Sequence, residues 1–413
     1  MINYEKISLK NKLEVYAFEV NKNSDVISVD IFYKVGSRNE VMGKSGIAHM
    51  LEHLNFKSTK NLKAGEFDEI VKGFGGVDNA STGFDYTHYY IKCSKKNLDK
   101  ALELFAELMA NLNLKDEEFQ PERAVVLEER RWRTDNNPLG YLYFRLFNHA
   151  FMYHPYHWTP IGFFKDIENW SIEDIKEFHS IYYQPKNAIL VVSGDIESKE
   201  VFELSRKHFE KIKNTRAIPK IHTKEPKQEG AKRIYLKKKT DTEFLAIGFK
   251  IPDFKHKDMP SLNVLGELLG SGKSSLINEI LIDKLNLIND YYSFANDSID
   301  ENLFILIFNC NPEIKAEIVE EEIWKILQDI KDVKISQQDL QKVKNNIKSD
   351  FIFSLDTASA VSNTYGSYLA KGDLRPLLEY EDRVQKLQMQ DLVKCAKKYF
   401  TKQNSTTVIL RKD

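Results

Sequence analysis

Apolar residues follow the period of β-strands early in the chain and the period of helices further along. Residues 13–20 and 26–35 are rich in β-branched and aromatic side chains, which favours two strands. Residues 77–93 predict two more short strands joined by a turn, and residues 188–195 predict a buried strand. Apolar side chains recur at helical spacing over residues 98–112, which predicts an amphipathic helix.

The order of elements in the first half of the chain returns in the second half. Strand, loop, helix, strands, long helices, a further helix and a terminal strand occur in both, although residue identity is faint. This order suggests a duplication. In the second half, a helix at residues 261–269 stands where a histidine-bearing helix stands in the first, and it carries no histidine. We expect an N-terminal domain over residues 1–214, a polar linker over 215–232 and a C-terminal domain over 233–413.

Size and composition are typical of a globular protein with more than one core. The chain has 413 residues, of which 42% are hydrophobic and 29% charged. Its net charge of −1 gives no excess positive field for nucleic acid or anionic lipid. The three cysteines are far apart and odd in number, which fits a reducing compartment. Neither a signal peptide nor a membrane-spanning apolar run is visible, so cytoplasmic residence is the expectation, with periplasmic or secreted forms left open.

The stretch from Gly46 to Leu54 carries the candidate chemistry. It reads Gly-Ile-Ala-His-Met-Leu-Glu-His-Leu, an apolar run of helical character with the pattern H-x-x-E-H. On a helix, His49, Glu52 and His53 fall within an arc of about 100°. Two imidazoles at positions i and i+4 can hold one metal ion with a carboxylate beside its open side. The alternative is a pair of ordinary helix histidines next to a solvated glutamate.

A zinc site with two histidines needs a third protein ligand. Glu122, Glu128 and Glu129 are the candidates, and they lie on a predicted helix that we expect to begin at Pro121. Glu122 and Glu129 are seven residues apart and share one helix face, about 10 Å apart along the axis. The alternative is a solvated face on which these glutamates pair with the neighbouring arginines.

The combination of motifs resembles the pitrilysin-type (M16) zinc metallopeptidases, in particular the short two-domain bacterial type that is similar to mitochondrial processing peptidase subunits. The H-x-x-E-H pattern is followed at the family's distance by the glutamate at position 129. Further motifs of the family are matched before and after it: Gly36-Ser37-Arg38-x-Glu40, Phe56-Lys57-Ser58-Thr59, Gly75-Gly76-x-x-Asn79-Ala80-x-Thr82, His154-Pro155-Tyr156 and Val192-x-Gly194-Asp195. The resemblance is close over residues 10–200 and looser in the second half.

The resemblance implies an α+β fold of two duplicated domains, each with an antiparallel-rich mixed sheet packed against several helices. It also implies one Zn²⁺ per chain, held by His49, His53 and Glu129. In the family's metal-assisted peptide hydrolysis, Glu52 takes a proton from the zinc-activated water and later gives it to the leaving amine. Glu122 is by the same analogy a carboxylate that orients a ligand or the water. An edge strand, to which an extended substrate adds as a further strand, is implied at Asn79, Ala80, Ser81 and Thr82.

The sequence departs from the family pattern in the second half. Active members place an arginine and a tyrosine, seven residues apart, to hold the substrate and the developing oxyanion. No arginine occurs in residues 282–292 here. Lys284 and Tyr291 have the right spacing, but Asp283 or Asp290 can equally occupy these positions, and lysine lacks the guanidinium fork. We therefore expect a homodimer, or a heterodimer with a related chain that supplies the Arg/Tyr pair.

The sequence thus predicts a zinc-dependent endopeptidase that hydrolyses extended peptides or small unfolded polypeptides. The alternative is a non-catalytic scaffold or partner-binding subunit of a two-chain peptidase-like complex, although its zinc residues would then normally be substituted. A glycine-rich stretch at residues 270–275 is similar to the end of a phosphate-binding loop. It lacks the first glycine of that motif and follows a helix where a strand is required, so nucleotide binding is not expected.

Overall fold

Two β-sheets form the framework of the protein, whose computed structural model describes residues 2–413. The strands alternate or bury both faces, as the β-periodicity of the sequence predicts. Their bounds are β1 Glu5–Ser8, β2 Glu14–Glu19, β3 Val26–Tyr33, β4 Val77–Thr82, β5 Thr87–Ser94, β6 Ala188–Gly194, β7 Lys232–Lys238, β8 Phe244–Ile251, β9 Ile288–Ala295, β10 Asn302–Cys310 and β11 Ser405–Lys412.

The two sheets share one topology, which confirms the duplicated fold. The first has the strand order β1-β2-β6-β3-β5-β4, and the second has the order β7-β11-β8-β10-β9. One parallel pair occurs in each sheet at matching places, β2 with β6 and β7 with β11. The remaining pairs are antiparallel. The second sheet therefore repeats the first without the strand β1.

The helices fill the connections between strands and cover the sheets. Their bounds are α1 Ile47–Asn55, α2 Glu66–Gly73, α3 Leu98–Asn111, α4 Asp116–Arg130, α5 Pro138–Ala150, α6 Phe164–Asn169, α7 Ile172–Tyr182, α8 Ser198–Phe209, α9 Met259–Gly270, α10 Ala316–Lys331, α11 Gln337–Phe353, α12 Ala358–Ala370, α13 Arg375–Leu378, α14 Tyr380–Lys386 and α15 Met389–Tyr399. Short π-helical segments lie at Arg131–Asp135 and Asn278–Lys284. Within residues 2–413, no helix combines the length and the apolar character that crossing a membrane requires.

One local prediction is wrong, and one strand was not predicted. Helix α4 begins at Asp116, so Pro121 lies inside it and does not open it. Three acidic residues occupy the first turn, where they interact favourably with the positive end of the helix dipole. Residues 232–238, for which the sequence pattern predicted no strand, form the strand β7, whose side chains are alternately exposed and half-buried.

The chain divides into two compact units, each built around one sheet. The first comprises residues up to 128, 158–222 and 352–377; the second comprises residues 129–157, 223–351 and 378–413. The sequential domain boundaries predicted above stay a prediction. Each unit includes a helix from the distant half of the chain. In the first unit α12 packs against β3 and β6, and in the second unit α5 packs against β8 and β11.

The core of the first unit lies on the sheet face opposite α12. Strand residues Val29, Ile31 and Tyr89 meet apolar side chains from α1, α3, α7 and α8 there. Full burial of such a side chain contributes roughly 1.5–3 kcal/mol. This core holds the buried side of α1, which fixes where the polar side of that helix points.

Candidate metal centre

Helix α1 begins at a tightly constrained glycine. Gly46, its N-cap, has φ of 87° in the left-handed region, and an added Cβ would lie 2.7 Å from the carbonyl oxygen of Ile161 and 2.8 Å from the ring of Trp170. The carboxylate of Glu40 accepts hydrogen bonds from the backbone N–H groups of Gly46 and Ala48, both at 2.8 Å. Glu40 thereby caps the first turn of the helix in place of an N-cap side chain.

Glu40 is itself fully enclosed. Its second carboxylate oxygen also accepts a hydrogen bond from Nε1 of Trp158 at 2.8 Å. Burial raises the pKa of Glu40 to about 8, against the opposing effect of these three hydrogen bonds. The start of α1 is therefore tied to a buried carboxyl group that comes from the loop before it.

One side of α1 packs in the core, and the other side carries the two histidines. Met50, Leu51 and Leu54 are buried in the core of the first unit. His49 and His53 lie on the other side, only partly buried, with ring centroids 4.7 Å apart. The predicted helix is confirmed, and the two imidazole rings lie next to each other on it, as their i, i+4 spacing predicts.

Helix α4 adds the carboxylate of Glu129 to this pair. Ligand atoms of His49, His53 and Glu129 all lie within 4.8 Å of one another. Glu129 is half-buried and its Oε1 lies 2.8 Å from Nε of Arg133, whereas Glu128 is exposed. Two imidazole nitrogens and one carboxylate oxygen are the donor set of catalytic zinc sites, which keep a fourth position open. The residues present therefore fit a zinc ion.

Glu122 contacts one of the two histidines, His53. Its Oε1 is 2.8 Å from Nδ1 of His53, and its Oε2 is 2.7 Å from Nζ of Lys57. Burial works to raise the pKa of Glu122, but the hydrogen bonds from His53 and Lys57 outweigh it and leave that pKa below its usual value. An ionised carboxylate can only accept, so Nδ1 of His53 carries the proton and Nε2 carries the lone pair.

Glu52 lies on the same helix and is held by the first sheet. The hydroxyl of Thr82 donates a hydrogen bond to Oε2 of Glu52. Two buried tyrosines, Tyr89 and Tyr183, are joined by their hydroxyls at 3.0 Å, and burial, with a contribution from the negative charge of Glu52, raises the pKa of both. Both tyrosines stay neutral, so Glu52 faces hydroxyl groups rather than a second negative charge.

The four residues predicted for substrate binding lie on one edge strand. Asn79, Ala80, Ser81 and Thr82 belong to β4, the last strand of the first sheet, which pairs with β5 along one edge. Successive side chains of β4 are alternately exposed and half-buried. Thr82 therefore reaches Glu52 from the strand to which an extended peptide could add.

The two candidates in the second half lie in the second unit. Lys284 is exposed at the end of the π-helical segment Asn278–Lys284. Tyr291 lies on β9, and its hydroxyl is 2.9 Å from Oγ of Ser275 in the glycine-rich stretch. β9 is the edge strand of the second sheet, at the place that β4 has in the first.

Sequence reasoning gave no role to Glu40, Lys57 or Trp158. Glu40 and Lys57 each stand in a quoted motif, which was the available signal for them. Their contacts depend on chain segments that are distant in sequence, since Trp158 follows Glu40 by more than a hundred residues. No pattern in the sequence pointed to Trp158.

Comparison with known proteins matches both halves of the chain to one peptidase family. The model of the family described as Insulinase (Peptidase family M16) matches residues 15–151, and that of the Peptidase M16 inactive domain matches residues 169–347. A zinc protease PqqE of Helicobacter pylori is 55% identical over 411 residues, covering 99% of this chain and 93% of the relative. The mitochondrial-processing peptidase subunit beta of Bos taurus is 24% identical, covering 90% of this chain and 77% of that protein.

A solved structure agrees with the whole fold. The crystal structure of a protease from Helicobacter pylori superposes with a TM-score of 0.98 at 55% identity and covers 100% of both chains. With the two family models and this relative covering nearly the full length, the chain belongs to peptidase family M16.

Proposed function

We propose that this chain is a zinc-dependent endopeptidase that hydrolyses extended peptides or small unfolded polypeptides. The observation that carries the proposal is the convergence of His49, His53 and Glu129 within 4.8 Å, with Glu52 on the same helix as the two histidines. A relative with 55% identity that is named a zinc protease supports the choice of metal.

His49, His53 and Glu129 would hold the zinc ion. When bound, zinc supplies Lewis-acid activation of water and of the scissile carbonyl. Glu52 takes the proton of the attacking water on its carboxylate and returns it to the nitrogen of the leaving amine. Thr82 holds Oε2 of Glu52 in place through its hydroxyl. Glu122 keeps the proton of His53 on Nδ1, so that Nε2 is free to act as a ligand atom.

The edge strand β4 would take the substrate. A peptide added to its unpaired edge would gain main-chain hydrogen bonds in any sequence, which suits a peptidase of extended or unfolded chains. Thr82 belongs to both features, because it lies on β4 and also contacts Glu52. Docking of the peptide would thereby bring it to the general base.

We also propose that the chain works as a dimer, either with a second copy of itself or with a related chain that supplies an Arg/Tyr pair. The support is the absence of arginine from residues 282–292. Light scattering after size exclusion, with peptidase assays over a dilution series, tests this assembly. Full specific activity in a monomeric peak would contradict it.

The test of the function combines metal content with peptide cleavage. Purified protein should contain about one zinc per chain by mass spectrometry and should cleave quenched-fluorescent peptides. Glu52→Gln should retain zinc and lose cleavage, whereas Glu128→Gln, which changes an exposed glutamate on α4, should keep both. Absence of zinc binding, or cleavage by Glu52→Gln at the wild-type rate, would overturn the proposal.

A further inference from the structure

A cavity of about 350 Å³ lies in the first unit, on the sheet face that α12 covers. Strands β3, β4 and β5 form one wall through Asp30, Ser81, His88 and Lys92, and α12 forms the other through Ser359 and Asn363. This face is opposite to the one that packs on α1. The metal centre described above uses none of these six side chains.

The side chains of β4 point alternately to the two faces of the sheet, so this strand contributes both to the cavity and to the peptide-docking edge. Thr82 points to Glu52 on α1, so the side chain of Ser81 points to the other face of the sheet. Ser81 is paired with His88 across β4 and β5, and both line the cavity. Ser81 is small and exposed, so the cavity is open at the edge where a further strand would add.

The floor of the cavity is preorganised. Oδ1 of Asp30 lies 2.7 Å from Nε2 of His88, and Oδ2 accepts a hydrogen bond from Ser28 at 2.6 Å. The ring of His88 stacks on Phe32 with centroids 4.0 Å apart and planes 5° from parallel. Both oxygens of the buried Asp30 are therefore engaged within the floor.

The opposite wall is fixed to the same sheet. Ser362 on α12 and Ser193 on β6 are joined by their hydroxyls at 2.6 Å. Gly366 of α12 lies so close to Phe32 that an added Cβ would be 2.2 Å from its ring. The distance between the two walls is thus set by packing rather than by a mobile loop.

Beside the hydroxyls of Ser81 and Ser359, the cavity offers a ligand an ammonium and an amide. Nζ of Lys92 lies 4.8 Å from the ring centroid of Tyr90, and among residues 2–413 Lys92 forms no ion pair. Asn363 adds an amide from α12. A cation over an aromatic ring with no carboxylate partner favours an anionic or strongly accepting ligand group.

We propose that this cavity is a specificity site for a long acidic side chain, that of glutamate, in the peptide that docks on β4. The proposal rests on the proposed peptidase function. Side chains of an added strand lie about 4.5–5.5 Å from their neighbours on β4, so a long side chain opposite Ser81 enters the cavity that Lys92 and Asn363 also line. Because side chains alternate, the neighbours of this residue in the peptide face the metal helix.

The test uses peptides in which one position at a time carries Glu, Gln or Lys. Binding is measured by fluorescence anisotropy with the zinc-loaded Glu52→Gln protein, and cleavage as kcat/KM with the active protein. At one position, Glu should bind at least tenfold more tightly than Lys. Lys92→Glu should invert this preference, Lys92→Gln should abolish it, and Lys96→Glu, an exposed lysine outside the cavity, should leave it unchanged.

The outcomes separate this site from the proposed function. Cleavage without a position-specific preference for Glu, or a preference unaffected by Lys92→Glu in a protein with the wild-type melting temperature, overturns the site and leaves the peptidase function standing. Position-specific binding that inverts in Lys92→Glu, but without hydrolysis by the active protein, supports the site and overturns the peptidase function. Neither binding nor cleavage of any peptide overturns both.

Discussion

The carboxylate of Glu122 accepts a hydrogen bond from Nδ1 of His53 over 2.8 Å. This contact selects the tautomer of His53 that presents the lone pair of Nε2, and it makes the imidazole more basic. Lys57 holds the other oxygen of Glu122, so the carboxylate cannot rotate away. The position of His53, one of the three proposed metal ligands, therefore depends on a residue outside that group.

Replacing Glu122 with glutamine should weaken zinc binding about 10- to 100-fold, because a neutral amide orients and polarises His53 less well. Competition with a zinc-responsive dye measures the affinity. Glu117→Gln, which changes a largely exposed glutamate in the first turn of the same helix, is the matched control. Equal zinc affinity in the two variants would contradict a role for Glu122 in holding His53.

Replacing Thr82 with valine should lower kcat about tenfold, because a hydrogen bond to a charged carboxylate is lost while the shape of the side chain is kept. Zinc content should not change. Thr82→Ser retains the hydroxyl and should restore kcat; failure of this rescue would assign the effect to packing of β4.

Local sequence patterns predicted those features of the candidate metal centre that lie within a single helix. The i, i+4 spacing of His49 and His53 on an apolar helix was sufficient to place both rings on one face. The choice of Glu129 over Glu128 was different, because both lie on one helix and only the approach of α1 separates an exposed glutamate from a half-buried one. That approach depends on packing between helices distant in sequence, which no local pattern encodes.

The features missed by sequence reasoning rest on long-range packing. Helix α12 has no strong amphipathic pattern, and small residues such as Gly366 let it lie close to β3, which begins more than three hundred residues earlier. Strand β7 has the polar composition of a linker and is a strand only because β11 pairs with it in parallel. The cavity beside α12 is lined by residues from both halves of the chain, so neither half alone predicts it.

Histidine 179 should make the protein sensitive to acid. Its Nε2 is buried on α7, and this burial lowers the pKa of His179 from 6.5 to about 4. The unfolded chain therefore binds more protons between these two values, and the free energy of unfolding falls as pH drops from about 6.5 to about 4. A shift of this size corresponds to about 3 kcal/mol.

Denaturant titrations between pH 4 and 7 measure this loss. The metal-free protein is used so that release of zinc from His49 and His53 at low pH does not contribute. His179→Leu removes the titrating group and should flatten the pH dependence by about the same amount. If the free energies of unfolding of the wild type and of the variant change in parallel over this pH range, His179 is not the group responsible.

Replacing Gly366 with alanine should destabilise the protein by about 1–3 kcal/mol, because the new methyl group would overlap the ring of Phe32. Equilibrium denaturation measures the change. Gly73→Ala, at the end of α2 where an added Cβ meets no atom within 4 Å, should change stability by no more than about 0.5 kcal/mol. Phe32→Leu makes room for the methyl group, so the double variant Phe32→Leu/Gly366→Ala should be more stable than the sum of the two single effects predicts. Strict additivity would mean that α12 does not pack on Phe32 as closely as the structure has it.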